Sequence, residues 1–164
     1  MIRNPFKAIL SLFRHLHFGF HSSSTIAVKE NILSVFKHND DNKIYFTEEF
    51  GKFALKSILK WRKMIEDWVI LGYVLVVHYE DVVEDKMKEM KRILEFLDVE
   101  PEEKRLSCLQ ESNVNIFKRK SHKLNSNPYQ GPLSKVIKFH IDDVNDMLLK
   151  FNHPPVPYSK YTSF

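Results

Sequence analysis

Glycine is scarce in this chain: 164 residues carry four, at positions 19, 51, 72 and 131. That scarcity excludes a Gly-rich phosphate cradle of the Walker type. Gly51-Lys52 is followed by Phe53, and Phe46 stands where such a loop needs its first glycine. Cysteine is scarcer. Cys108 stands alone, so no internal disulfide can form and no disulfide framework organises the fold. A lone thiol of this kind is expected to be buried in a helix. No apolar run approaches the ~20 residues of a membrane span. No Asn-x-Ser/Thr sequon occurs, and the first residues lack a signal peptide's order of basic start, apolar stretch and cleavage site. Internal repeats and low-complexity tracts are absent. Neither sign of charge dominates: 25 Lys and Arg face 21 Asp and Glu, a formal net charge of +4. That balance suits an anionic ligand as well as it suits nucleic acid. The basic residues are interleaved with acids over several segments, which argues against a nucleic-acid face.

What is present is the composition of a folded domain, with 43% hydrophobic and 13% aromatic residues. The length suits one domain with a sizeable core. Helical periodicity predicts a first helix over residues 5–17, with Asn4 as cap, Pro5 at the first position, and Phe6, Ile9, Leu10 and Phe13 on one face. A weaker helical pattern follows over 26–36, then a polar turn at 39–42 and a short extended piece at 44–46. Thr47, Glu48 and Glu49 open the longest helix. Its buried stripe is expected to run through Phe50, Phe53, Ala54, Ile58, Trp61, Ile65 and Trp68, and Gly72 ends it. Residues 73–79 are short, β-branched and nearly continuously apolar. They predict a strand, Tyr73 to His78, buried on both faces of a parallel sheet. Asp85 caps the next helix, with Met87, Met90, Ile93, Leu94 and Leu97 facing inward. Pro101, Glu102 and Glu103 open another helix to about residue 111. Residues 113–129 are polar and irregular. Ser134 caps a last helix whose Ile137, Ile141, Val144, Leu148 and Phe151 share a face, and Pro154, Pro155 and Pro157 stop it.

The chemistry concentrates at Arg3-Asn4-Pro5 and Ser11. The first-turn N–H groups of a helix, with the dipole behind them, favour an anion, and the Arg3 guanidinium can grip a phosphate with paired hydrogen bonds. Ser11 lies seven residues past the cap, close to two full turns at roughly 100° per residue. The same residues also fit an ordinary capped helix with a surface arginine. Tyr79 closes the expected strand, an apolar ring with a polar tip that suits the flank of a base or the end of a core strand. Glu80 and Asp81 read as cap and structural groups. His15, His17 and His21 do not share one helical face, so no metal site is expected there.

The ordered set Arg3-Asn4-Pro5 with Ser11, then His78-Tyr79-Glu80-Asp81, then Phe117-Lys118-Arg119-Lys120 resembles the sulfotransferases that use PAPS (3′-phosphoadenylyl sulfate), and most of all the WSC-domain-containing sulfotransferases. The resemblance runs roughly from Arg3 to Phe151. It departs from the family at Ser121, which stands where a glycine is expected. The resemblance implies that Arg3, Ser11, Arg119 and Lys120 hold the 3′-phosphate of PAPS as co-substrate, and that Tyr79 lies beside its adenine. It implies no metal, and leaves the catalytic base unassigned. The implied fold is α/β and helix-rich, the C-terminal part of a P-loop-NTPase-like sulfotransferase fold with an incomplete parallel sheet. Residues 1–153 would form a partial sulfotransferase domain without its N-terminal P-loop half, and residues 154–164 a Pro-rich tail. The implied parent reaction is sulfuryl transfer from the nucleotide donor to an acceptor hydroxyl, with glycans among the candidate acceptors. Complete relatives are expected on the lumenal side of the Golgi membrane. The chain as it stands is expected to be inactive. The alternative is a non-catalytic nucleotide-binding or interaction module of the same fold.

Overall fold

The computed structural model describes residues 1–18, 48–111, 127–129 and 131–161. The expected helix at 26–36, the piece at 44–46, the Thr47 cap and the basic run at 118–120 lie outside these residues.

The first helix, α1 (Pro5–Phe18), starts where Asn4 and Pro5 place it. The Asn4 side chain accepts a hydrogen bond from the Phe6 N–H at 3.0 Å, the bond of a helix cap. The longest helix, α2 (Glu48–Ile70), carries Glu48 and Glu49 in its first turn. It ends at Ile70, and the chain turns away at Gly72, whose φ of +81° is cheap only for glycine. Beyond it, residues 73–77 are extended, followed by a short helix α3 (Tyr79–Glu84) and then α4 (Lys86–Phe96), α5 (Glu103–Glu111), α6 (Pro132–Lys150) and a terminal turn of helix, α7 (Tyr158–Tyr161). Asp85 caps α4 as expected, accepting from the Lys88 N–H at 3.0 Å. The last long helix begins earlier than expected. Pro132 occupies its first position and Gly131 precedes it, so Ser134 lies inside the first turn and does not cap.

The core is a slab made by α1, α2 and α6. Phe13, Ala54, Ile58, Ile137, Val144 and Leu148 have no accessible surface. Phe13 meets Phe50 and Phe53 edge-to-face, with ring centroids 5.0 and 5.2 Å apart. Several expected core residues are not there. Trp68 is 59% exposed, and the buried stripe of α2 continues through Val69 instead. Phe151 and Leu97 are exposed, each at the C-cap just past the last residue of its helix. Cys108 is exposed on α5.

The expected strand is the main correction. Residues 73–77 are extended, and Val76, Val77 and His78 are buried, but Tyr73 is 84% exposed. Among the described residues, pairing is limited to one parallel bridge between Ile2 and His78. The Ile2 N–H donates to the Val77 carbonyl at 2.7 Å, and the Tyr79 N–H to the Ile2 carbonyl at 2.7 Å. The ladder stops there because Pro5 has no N–H and the chain has already turned into α1. Among the described residues there is therefore no sheet. Arg92 of α4 supplies another partner for the extended segment, donating to the Val76 carbonyl at 2.8 Å while paired with the buried Glu89 at 2.6 Å.

The Pro-rich segment after α6 returns to the core. Val156 and Tyr161 are each 3% exposed. The Val156 N–H donates to the Asn145 side chain at 3.1 Å, and Tyr158 Oη to Asp142 at 2.8 Å. Burial and the Asp142 carboxylate push the Tyr158 phenol up to about 12.

Candidate functional site: the start of the first helix

The bridge between Ile2 and His78 brings Arg3 and Tyr79 together across 76 positions of sequence. The Arg3 guanidinium carbon lies 4.7 Å from the centre of the Tyr79 ring, within the range of a cation–π contact. Arg3 is held from behind, because Trp61 Nε1 of α2 donates to the Arg3 carbonyl at 3.2 Å. The sequence placed Trp61 in the core by periodicity alone. It also fixes the backbone of the arginine, which spacing within one helix cannot reveal. Arg3 Nε is buried and has no hydrogen-bond partner among the described residues. A guanidinium N–H left without an acceptor in a buried place costs free energy, and an incoming anion would remove that cost.

The first turn of α1 differs from expectation. Pro5 has no N–H, the Phe6 N–H goes to the Asn4 side chain, and the Asn4 N–H donates to Glu80 Oε1 at 3.0 Å. The protein thus places its own carboxylate at the positive end of the helix, a favourable position for it. Backbone N–H groups expected to face an anion are largely taken. What remains for a phosphate here is side-chain chemistry, with Arg3 foremost. Glu80 opposes an incoming anion, whereas the charge of Asp81 is answered by Lys160, 2.6 Å away.

Ser11 is exposed on α1 while Asn4 is fully buried. Among the described residues no hydrogen bond ties Ser11 to Arg3 or Tyr79. Arg119 and Lys120 lie outside the described residues. Gly51 lies within α2, so Gly51-Lys52 is helical and forms no phosphate-binding turn.

His78, just before Tyr79, is 1% exposed. Its Nε2 is 3.3 Å from the Pro154 carbonyl. A carbonyl can only accept, so Nε2 carries the proton and Nδ1 is bare. Nδ1 is buried without a partner among the described residues. Burial lowers the His78 pKa, with Arg92 acting in the same direction and the Pro154 bond, Asp81 and Glu80 opposing it. A neutral, wedged imidazole of this kind is a structural group between the bridge and the C-terminal segment. The histidine of this motif was quoted in the sequence, but its contact with residue 154 had no local signal.

These residues fall inside a match to a family model. Residues 1–103 match the model described as "Sulfotransferase family". The chain belongs to the sulfotransferase family. Three curated relatives are WSCD family members, which agrees with the resemblance to the WSC-domain-containing sulfotransferases. One from Drosophila pseudoobscura pseudoobscura is 28% identical over 134 residues, covering 79% of this chain and 37% of the relative. One from Drosophila melanogaster is 27% identical over 134 residues, with the same 79% and 37% coverage. One from Aedes aegypti is 25% identical over 156 residues, covering 92% of this chain and 44% of the relative. The chain thus spans less than half the length of these relatives. No solved structure matches it. Arg3, Ser11 and Tyr79 lie within the family match, and Arg119 and Lys120 lie beyond its end.

Proposed function

We propose that this chain holds the 3′-phosphate and adenine side of PAPS, within a protein whose reaction is sulfuryl transfer from that donor to an acceptor hydroxyl. The observation that carries the reading is the Arg3–Tyr79 pair, a guanidinium 4.7 Å from an aromatic ring, with its Nε buried and without a partner among the described residues. A phosphate has the charge and oxygens to satisfy that N–H, and the half-open Tyr79 ring offers a face or edge to an adenine. Family membership supplies the class of donor and acceptor. The reading extends to Ser11, Arg119 and Lys120 as further phosphate contacts, to a P-loop-like sheet, to glycans as acceptors and to the Golgi lumen as the site of the complete protein. In such a transfer the donor's 5′ side carries the charge that moves, and interactions made there govern the rate.

Among the described residues nothing cradles that 5′ side: the Gly51-Lys52 pair is helical and the first turn of α1 is occupied by Asn4 and Glu80. That observation favours the second reading, a module that binds the nucleotide without turning it over. Both readings predict calorimetric binding of adenosine 3′,5′-bisphosphate, weakened in Arg3→Ala by roughly 1.5–3 kcal/mol, the loss of a set of charged hydrogen bonds. Unchanged binding in that variant would remove the phosphate site. Transfer of labelled sulfate from PAPS to hydroxyl-bearing acceptors separates the two: turnover by this chain would rule out the non-catalytic reading.

A further inference from the structure

α3 is six residues long and none of them is buried. A helix this short cannot hold itself in water, and its most apolar inward residue, Val82, is only half-buried. Its pose, and with it the pose of Tyr79 at its first position, must be set by polar contacts from elsewhere. Those contacts come from two sides: residues 2–4 hold its start, through the Tyr79 N–H on the Ile2 carbonyl and Glu80 on the Asn4 N–H, and the C-terminal segment holds its acidic side. Lys160 pairs with Asp81 at 2.6 Å and also with Glu84, the two carboxylates lying one turn apart on α3. The same segment reaches the Arg3 side of the site. The Tyr161 carbonyl accepts from Asn4 Nδ2 at 3.3 Å, beside the cap that Arg3 precedes. The Pro154 carbonyl meets His78 Nε2, immediately before Tyr79. At its other side the segment is tied to α6 through Asn145 and Asp142. Residues 154–161 therefore run from the rigid core to both strands of chain that carry the cation–π pair.

We propose that residues 154–161 are a strap that sets Tyr79 against Arg3, with Lys160 as its positioning residue. Lys160 has Asp81 and Glu84 as its ion-pair partners, not the guanidinium or the ring. It acts by holding α3 through Asp81 and Glu84. The consequence for ligand binding rests on the nucleotide reading above, whereas the mechanical role of the strap does not.

The test uses the full chain and three variants. Lys160→Met keeps the apolar stem and removes the charge, Lys160→Arg restores the charge, and Glu84→Gln removes the more exposed of the two partners. Amide hydrogen exchange at Val82 and Asp85, whose N–H groups bond to His78 and Asp81 within this turn, reads the strap without any ligand. In Lys160→Met these amides should exchange about three- to tenfold faster, as expected for losing two partly exposed ion pairs. Adenosine 3′,5′-bisphosphate should bind weaker by a similar factor. Lys160→Arg should restore both, and Glu84→Gln should shift both in the same direction by less. Exchange at α3 unchanged in Lys160→Met, or no recovery in Lys160→Arg, would overturn the proposal. If Lys160→Met does not fold, Glu84→Gln decides alone, because its carboxylate is outside the core: faster exchange supports the strap and unchanged exchange defeats it. A wild-type chain that binds no bisphosphate would sink the nucleotide reading while leaving the exchange result to judge the strap.

Discussion

Two regions of this molecule are built by different means. The slab of α1, α2 and α6 is held by apolar side chains that repeat at helical spacing, such as Phe50, Ala54 and Ile58 on α2 and Ile137, Ile141 and Val144 on α6. The junction around Asn4 sits at the edge of the same core, where Ile2, Val76, Val156 and Tyr161 are buried, and adds polar bonds between segments far apart in sequence. Asn4 meets Glu80 and Tyr161, His78 meets Pro154, and Lys160 meets Asp81 and Glu84. The junction has a handful of directional bonds, and it carries the candidate site. Stability should therefore reside mainly in the slab, and ligand affinity in the junction.

The largest test of that division is Phe13→Ala. Phe13 has no accessible surface and packs edge-to-face on Phe50 and Phe53. Truncation removes buried area, leaves a cavity and breaks the aromatic contacts, and should cost about 3–5 kcal/mol. Urea unfolding of this variant beside Arg3→Ala checks the contrast. Arg3→Ala should leave the unfolding midpoint nearly in place while weakening nucleotide binding. If both variants lose comparable stability, the slab and the junction are one cooperative unit and the division fails.

His78 offers a smaller and reversible probe of the junction. Its folded pKa is lowered, chiefly by burial, so the unfolded chain takes up the proton first as pH falls. Stability is then full above the ordinary histidine value of about 6.5 and declines as pH drops from there toward the lowered folded value. The slope from one such group cannot exceed about 1.4 kcal/mol per pH unit. His140, whose pKa is lowered by burial and by the Arg62 charge, adds a contribution of the same sign. His78→Gln keeps an N–H donor for the Pro154 carbonyl and cannot titrate. Urea midpoints between pH 7.5 and pH 5, spanning the window set by these two histidines, should show a shallower decline in this variant than in the wild type. An identical decline would place the titration elsewhere.

The same division explains what could be read in the sequence. Periodicity and capping residues are local signals, so α1, the Asp85 cap and most of α2 and α6 were legible. The pairing partner of residues 73–78 was not, because it depends on a second segment. An apolar run declares that it wants burial and says nothing about how many strands lie beside it. Here one bridge at Ile2 and the Arg92 side chain take that place. The site was legible as residue types in order, and Arg3 does meet Tyr79. The sequence could not show that Glu80 would occupy the helix start, because its bond to Asn4 crosses 76 positions. Nor could it show that a Pro-rich tail would fold back as a strap.

Trp68 marks the limit of periodicity and gives the smallest predicted effect. Helical spacing puts Trp61 and Trp68 on one stripe, but helices have ends and contacts run out before stripes do. Trp61 is partly buried and donates to the Arg3 carbonyl, whereas Trp68 is 59% exposed. Val69, 2% exposed, takes the core position in that last turn. Trp68→Ala removes no cavity-lining group and no hydrogen bond found among the described residues, so the change in unfolding free energy should stay within about 0.5 kcal/mol. Acrylamide should quench Trp68 fluorescence much more strongly than that of Trp61, as measured in single-tryptophan variants carrying phenylalanine at the other position. A loss of several kcal/mol in Trp68→Ala, with a protected fluorophore, would show that another surface covers this end of α2. The apolar slab would then extend past its present edge, toward the exposed Ile70, Leu71 and Tyr73.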